Sequence, residues 1–358
     1  MCPNLPGAGT YPREVPSRHD LDRDALGTLL DGEPRYRVDQ LWDGLYKRAL
    51  EPAEMTDLPL ALRTKLAAEP ALAPALTLEA ERMSDRGTTV KWLWRLDGGA
   101  RVETVLMHYP GRSTVCVSTQ AGCAMACGFC ATGQAGFDRH LSTGEIVEQV
   151  VRAVRAAHET DRRLSNVVFM GMGEPLANYD RVWGAVRRLH DDMGLSARHL
   201  TLSTVGLVPG IRRLADEDLP VNLAVSLHAA NDTLRDELVP INRRYPLETL
   251  VEACEAYLAA KGRRLSIEWA LIDGVNDRPT DAGELAAIAR RLRAHVNLIP
   301  LNPTPGWPTQ GTPPAGVRGF RDRLVDLGVN ATVRQNRGTD IDAACGQLAG
   351  STPVKVRD

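Results

Sequence analysis

Six short β-rich runs recur along the chain, each trailed by a stretch with the periodicity of a helix, and no other feature restricts the fold as tightly. The runs are STVCVS (113–118), NVVFMG (166–171), HLTLST (199–204), VNLAVSL (221–227), LSIEWALI (265–272) and HVNLIPL (295–301). Apolar runs bounded by turn residues read as buried strands, and strand-then-helix repetition calls for a parallel sheet with right-handed crossovers. Six units are too few for a closed eight-unit barrel. The expected fold is therefore α/β, an open or partial (β/α)6 barrel with its functional groups where the strands end.

The intervening helices carry their own punctuation. In LSTGEIVEQVVRAVRAAHE, Ser142 and Glu145 form a capping box, and PLETLVEACEAYLAAKG stops on Gly262. A last strand, NATVRQNRG, precedes TDIDAACGQL. Ahead of the core, GTTVKWLWRLDGGARVETVLMHYPGRSTVCVST alternates apolar and polar residues around the turn DGGA, which reads as a hairpin. Residues 21–90 are expected to form a small helical accessory domain, with Thr56 capping a helix that has Pro59 in its first turn. Residues 1–20 read as a loose lead-in, 91–350 as the core with its preceding hairpin and a C-terminal loop, and 351–358 as a tail.

With 358 residues, 43% of them hydrophobic, the chain can fill a large core. Neither a signal peptide nor an apolar run long enough to span a membrane is evident, so a soluble, cytoplasmic protein is expected. A formal net charge of -2 gives no global basic field. The pairs Arg212-Arg213, Arg243-Arg244, Arg263-Arg264 and Arg290-Arg291 read more simply as solvated helix ends than as an RNA-binding face.

Seven cysteines, odd in number and unevenly placed, fit working thiols better than a disulfide framework. Cys123, Cys127 and Cys130 have the spacing C-x-x-x-C-x-x-C in a loop just after the first core strand. Thiolates at that spacing converge on one soft inorganic centre, an iron-sulfur cluster or zinc. A structural zinc wants four closed ligands, for which His140 is the candidate fourth, whereas three thiolates on a four-iron cluster leave one iron open. Burial of small hydrophobic cysteines is the plainer alternative.

The strings CVSTQAGCAMACGFCATGQAGFDR, GMGEPLANY, LSTVG, VSLHA, LNP and DIDAACGQL, in this order, resemble the radical S-adenosylmethionine superfamily. Within it they resemble the bacterial methyltransferases that act on C2 of an adenosine in 23S rRNA and in certain tRNAs. The likeness runs from about residue 35 to residue 348. It implies a partial radical-SAM barrel, a 4Fe-4S cluster on Cys123, Cys127 and Cys130, and two S-adenosylmethionine molecules per turnover. Gly173, Glu174, Ser203, Ser226, Leu227, His228 and Asn302 would hold that cofactor. A dinucleotide fingerprint is the rival reading of GMGEP, and it fails because Leu176 stands where the third glycine belongs.

The same resemblance implies a route for methylating an electron-poor carbon. One S-adenosylmethionine methylates Cys345, and a second is cleaved to a radical that takes hydrogen from the S-methyl group. The resulting carbon radical adds to the adenine. Glu103 accepts the C2 proton, and Cys116 attacks the thioether sulfur, releasing the RNA with a Cys116–Cys345 disulfide. As implied partners come 23S rRNA, tRNA and an electron donor such as flavodoxin or ferredoxin, and the chain is expected to be a monomer. Structural readings stand beside these: a buried strand cysteine at 116, a surface charge at Glu103, an inert thiol at 345. Two other functions stay open, a related branch that methylates adenine C8 and confers antibiotic resistance, and a non-catalytic zinc-stabilised RNA-binding protein. Cys254 reads as core packing, Cys2 as part of a frayed terminus, and Trp92 and Trp94 either as RNA-stacking rings or as residues of a half-buried strand.

Overall fold

A computed structural model describes residues 16–304 and 306–350. Cys2, residues 1–15 of the lead-in and the whole tail lie outside the described residues. The chain begins its sheet with β1 (Thr77–Ser84), β2 (Thr89–Arg95), β3 (Arg101–Tyr109) and β4 (Arg112–Cys116), each antiparallel to the next. A small separate ribbon of β5 (Gln120–Gly122) and β6 (Phe137–His140) follows. Then come β7 (Leu164–Phe169), β8 (Leu200–Thr204), β9 (Asn222–Ser226), β10 (Leu265–Leu271), β11 (His295–Pro300) and β12 (Ala331–Val333). The main sheet has ten strands in the order β1-β2-β3-β4-β7-β8-β9-β10-β11-β12, parallel from β4 onward. All six expected core strands are present in sequence order, and the sheet stays open because β1 and β12 are its edges.

Helices α1 (Arg23–Leu29), α2 (Tyr36–Tyr46) and α3 (Leu60–Ala67) precede the sheet. Within or between the strand units lie α4 (Ala131–Gln134), α5 (Thr143–Glu159), α6 (Tyr179–Arg187), α7 (Val208–Asp216), α8 (Asp232–Leu238), α9 (Leu247–Lys261), α10 (Pro279–Arg291) and α11 (Pro314–Asp326). Both predicted terminal signals are realised. Ser142 Oγ accepts from Glu145 N at 3.1 Å while Glu145 Oε2 accepts from Ser142 N at 2.9 Å, and Gly262 ends α9 with φ 59°. The DGGA turn joins β2 to β3, with Gly98 and Gly99 at positive φ.

Three local expectations need correcting. Thr56 does not cap α3; Pro59, fixed near φ -54° with extended ψ, occupies that place, so the helix starts one residue after the proline. Residues 21–90 are not wholly helical, because β1 falls among them. Its inward positions alternate from Ala80 to Ser84, but they are Ala80, Arg82 and Ser84 and only Ser84 is fully buried, so the strand has no apolar period-2 signal and owes its form to pairing with β2. The start of the described chain is not loose: Arg18 is buried and donates to Glu51 and to Glu148 on α5.

Candidate active site

At the carboxyl ends of the parallel strands opens a cavity with about 990 Å³ of empty space, counted out to its mouth. Cys123, Cys127 and Cys130 line one side of it. Burial pushes the Cys123 thiol up to about 12, and burial followed by the charges of Cys130 and Cys123 pushes Cys127 well above its ordinary value. Thiols held this way become thiolates only against a cationic centre that repays their desolvation. Three soft donors in one buried wall fit an iron-sulfur cluster. His140 does not join them: its Nδ1 lies 3.0 Å from Gln120 Nε2, outside the cavity lining. Among the described residues, no three His, Cys, Asp or Glu side chains are gathered to hold a single metal ion.

Beyond β7, Glu174 faces the same cavity while almost fully buried. Its Oε1 accepts from Leu176 N at 3.1 Å and its Oε2 from Val205 N at 2.9 Å. Burial nevertheless raises it to about 7, outweighing those hydrogen bonds. Thr204 is a third donor to the carboxylate, whose four lone-pair sites still leave one for a ligand's ammonium. The neighbouring glycines serve packing against the chain itself. A Cβ on Gly171 would meet the Val117 carbonyl at 2.7 Å, and one on Gly173, at φ 99°, would meet Gln120 Cβ at 2.6 Å. They let the end of β7 lie directly on the segment leading from β4 to the cysteines.

Ser203, Ser226, His228 and Asn302 line the cavity, with Ser203 Oγ 3.4 Å from Ser226 Oγ. His228, at φ 60°, accepts from Ala270 N on Nδ1 at 3.0 Å; burial, then Arg235, lowers it to about 3 and keeps it neutral. Leu227 is not brought into this group. Its side chain is core, and only its backbone participates, donating to Glu268 O. Asn302 is engaged by the protein: its Nδ2 donates to Cys345 O at 3.0 Å and its Oδ1 accepts from Asn336 at 2.7 Å.

Cys345 lines the cavity opposite the three cysteines in sequence but beside them in space. The segment carrying it is small-residued, as expected for a mobile loop, yet it is tied down on both sides. Ala131 N donates to Gly346 O at 2.7 Å, Thr132 Oγ1 bonds Leu348 O, and Lys91 Nζ donates to Asp342 O at 3.1 Å. Cys116 ends β4 behind the lining; burial first, then Cys345, pushes its thiol up to about 12. Both are free thiols. Glu103 on β3 is not a surface charge. It is buried, raised chiefly by desolvation, paired with Lys91 at 3.1 Å, and accepts from Ala349 N at 3.1 Å. Its carboxylate thus faces the Cys345 segment rather than the open cavity.

Other residues were not anticipated. Glu268 and Arg334 line the cavity. Arg235, fully buried, donates to Leu227 O at 3.1 Å, Val205 O at 2.6 Å and Asn242 Oδ1 at 2.8 Å, clamping the loops that follow β8 and β9. Burial lowers its guanidinium to about 10. A charged residue inside an apolar strand, as Glu268 is in LSIEWALI, was the available signal; Arg235 on a polar helix carries none. Trp92 and Trp94 are buried, bonding Glu81 and Thr104 through their indole nitrogens, so they do not stack on RNA. Arg291 is paired with Glu248 and Glu255, and Arg213 with Asp180, which accounts for two of the arginine pairs. Cys254 is core.

An open parallel sheet with three cysteines at the carboxyl end of its first parallel strand defines a radical S-adenosylmethionine enzyme, and the Radical SAM superfamily pattern matches residues 117–286. A crystal structure of a radical SAM methyltransferase from Sphaerobacter thermophilus superposes with TM-score 0.89 at 50% identity, covering 94% of this chain and all of that one. Proteins named probable dual-specificity RNA methyltransferase RlmN are similar over nearly the whole length. The one from Parafrankia is 54% identical across 96% of this chain and 95% of its own, and the one from Salinispora tropica 52% across 98% of both. The chain belongs to the RlmN family of radical SAM RNA methyltransferases. S-adenosylmethionine and an iron-sulfur cluster are the cofactors of that superfamily. No described helix is long and apolar enough to cross a membrane.

Proposed function

We propose that this enzyme methylates C2 of an adenosine in 23S rRNA, and of the adenosine 3′ to the anticodon in some tRNAs, carrying the methyl group on Cys345. The observation that supports this best is the pair of thiols outside the three-cysteine set, Cys345 in the cavity wall and Cys116 buried close behind it. Simple methyl transfer to a nucleophile would need neither.

Cys123, Cys127 and Cys130 would hold a 4Fe-4S cluster, which with bound S-adenosylmethionine would supply reductive cleavage of the sulfonium and so a hydrogen-abstracting radical. Glu174 and the Ser203–Ser226 pair orient the cofactor's amino acid and ribose. Cys345 sulfur takes the methyl group by displacement, and after hydrogen removal its methylene carbon bonds to the adenine. Asn302 and Ala131 hold the backbone that carries that sulfur. For Glu103 to take the C2 proton, the bond from Ala349 N must open. Once the adduct has given up the C2 proton and one electron, returned to the one-electron couple that drives the cleavage, the deprotonated Cys116 attacks the Cys345 sulfur. The disulfide forms as the sulfur–methylene bond breaks, and the released carbon takes a proton to become the methyl group of the freed RNA. Two S-adenosylmethionine molecules are used per turnover, electrons come from a flavodoxin or ferredoxin, and a monomer working in the reducing cytoplasm suits these thiols.

Nucleoside mass spectrometry of 23S rRNA and tRNA from cells lacking the gene tests the reading. Loss of 2-methyladenosine is expected; its persistence, or loss of 8-methyladenosine instead, rules the C2 assignment out.

A further inference from the structure

Two charged side chains in the cavity wall have no part in that chemistry. Glu268 faces inward on β10, where its Cα pairs with Ser226 on one side and Asn297 on the other. It is 4% exposed, and its Oε1 accepts from Asn297 Nδ2 at 2.8 Å. Asn297 is fixed in turn by His295 at 3.0 Å and Thr332 at 3.1 Å. The other carboxylate oxygen, Oε2, is buried with no hydrogen-bond partner among the described residues. A desolvated acceptor without a donor is costly. Glu268 lines an open cavity, from which a ligand can bring that donor.

Arg334, immediately past β12, lines the same cavity. Among the described residues its guanidinium forms no hydrogen bond or ion pair, although the charges of Cys345 and, less strongly, Glu268 act on it. Opposite charges that share one cavity without closing on each other present a donor and an acceptor to the same space. Adenine's edge is the complement: its 6-amino group donates, and the adjacent ring nitrogen accepts. Guanine reverses the order along its Watson–Crick edge and offers two acceptors along its Hoogsteen edge.

We propose that Glu268 and Arg334 read the target base, Glu268 Oε2 accepting from the adenine 6-amino group and Arg334 donating to the neighbouring ring nitrogen. This rests on the reading of the chain as an RNA adenosine methyltransferase. It also sets regiochemistry. Cys345 lines the same cavity, and the carbon bonded to the ring nitrogen that Arg334 holds lies at that edge of the base. Gripping the Watson–Crick edge brings C2 to that place, and gripping the Hoogsteen edge would bring C8. A base extruded from its stack is read along such an edge. Asn297 is a positioning residue, acting only through Glu268.

Two RNA hairpins that differ only at the target position, adenosine or purine riboside without the 6-amino group, provide the test. They are compared by relative affinity in filter binding and by relative kcat/KM for methylation. The unaltered enzyme should prefer adenosine by roughly 10- to 100-fold, the worth of one hydrogen bond to a charged acceptor. Glu268→Leu should collapse that preference, and Asn297→Ala, which leaves the carboxylate but frees it, should weaken it. Arg334→Gln should lose discrimination between adenosine and 1-deazaadenosine. A Glu268→Leu protein that keeps the preference overturns the proposal, and so does one that keeps it while losing affinity for S-adenosylhomocysteine, because the oxygen then serves the cofactor's ribose. If the unaltered enzyme fails to methylate the adenosine hairpin, it is the proposed function that falls, and the binding comparison still decides the role of Glu268.

Discussion

Single side chains in this site change charge with what they hold. Glu174 illustrates this, since burial raises it to about 7 against an ordinary value of 4.5. Between those values the folded chain binds a proton that the unfolded chain has lost, so the protein free of cluster and cofactor is destabilised as pH rises through that window. Glu174→Gln should flatten this slope, measured by urea unfolding at about pH 5 and about pH 7.5; an unchanged slope would place the titration elsewhere. Binding a cationic ammonium should pull Glu174 back to the ionised form. The two separate thiols predict a trapped species. If Cys116 resolves a covalent link at Cys345, Cys116→Ala should accumulate an RNA–protein adduct that survives a denaturing gel, while Cys345→Ala should form none. A Cys116→Ala enzyme that turns over without adduct would return Cys116 to the status of a buried strand cysteine.

At the level of strands and loops, the site depends on how closely the β4 and β7 ends approach. Gly171 has Val117 and Ser118 backbone within 2.8 Å of where a Cβ would stand, and rigid main chain cannot yield as a side chain tip would. Gly171→Ala should therefore cost about 1–3 kcal/mol of stability and lower the affinity for S-adenosylmethionine, both visible in a thermal melt with and without ligand. An unshifted melt would mean the two ends slide apart freely. Glycines permit close backbone approach, but which backbone lies against this pair is settled only by the β4–β7 pairing. The same division runs through the fold. The six core strands announce themselves since parallel strands buried on both faces must be apolar throughout. Strand β1, with Leu78 and Met83 exposed, carries no such mark. Cysteine spacing marked the three-cysteine loop that the cavity gathers, whereas Glu268, Arg334 and Arg235 depend on inward register and on loops meeting across the sheet, which one strand's residues do not specify.

The whole molecule must hold an N-terminal helical part and an open sheet together well enough to present RNA to one cavity. Much of that connection converges on Glu148 of α5. It is fully buried, accepts from Ala75 N at 2.8 Å just ahead of β1, and takes Arg18 at 3.4 Å and Arg152 at 3.0 Å on its other oxygen. Arg18 and Arg152 also reach Glu51, in the turn that follows α2, so residues before α1 and before β1 meet Glu148 directly and Glu51 is tied to it through the two arginines. Burial alone would raise Glu148, but the His19, Arg18 and Arg152 groups outweigh it and bring it down to about 2. A carboxylate depressed in the folded state contributes stability that is complete above its ordinary value of 4.5 and is lost as pH falls toward 2. Glu148→Gln keeps the shape and removes the charge, leaving Arg18 with Glu51 alone, and should cost about 3 kcal/mol at neutral pH with a shallower loss of stability in acid. Because the bond network spans the junction, the same substitution should expose the segment from α1 to β1 to limited proteolysis before the core is cut. A protein as resistant as the parent over that segment would show that apolar packing of Leu26, Trp42 and Leu66, and not this buried charge, fastens the two parts together.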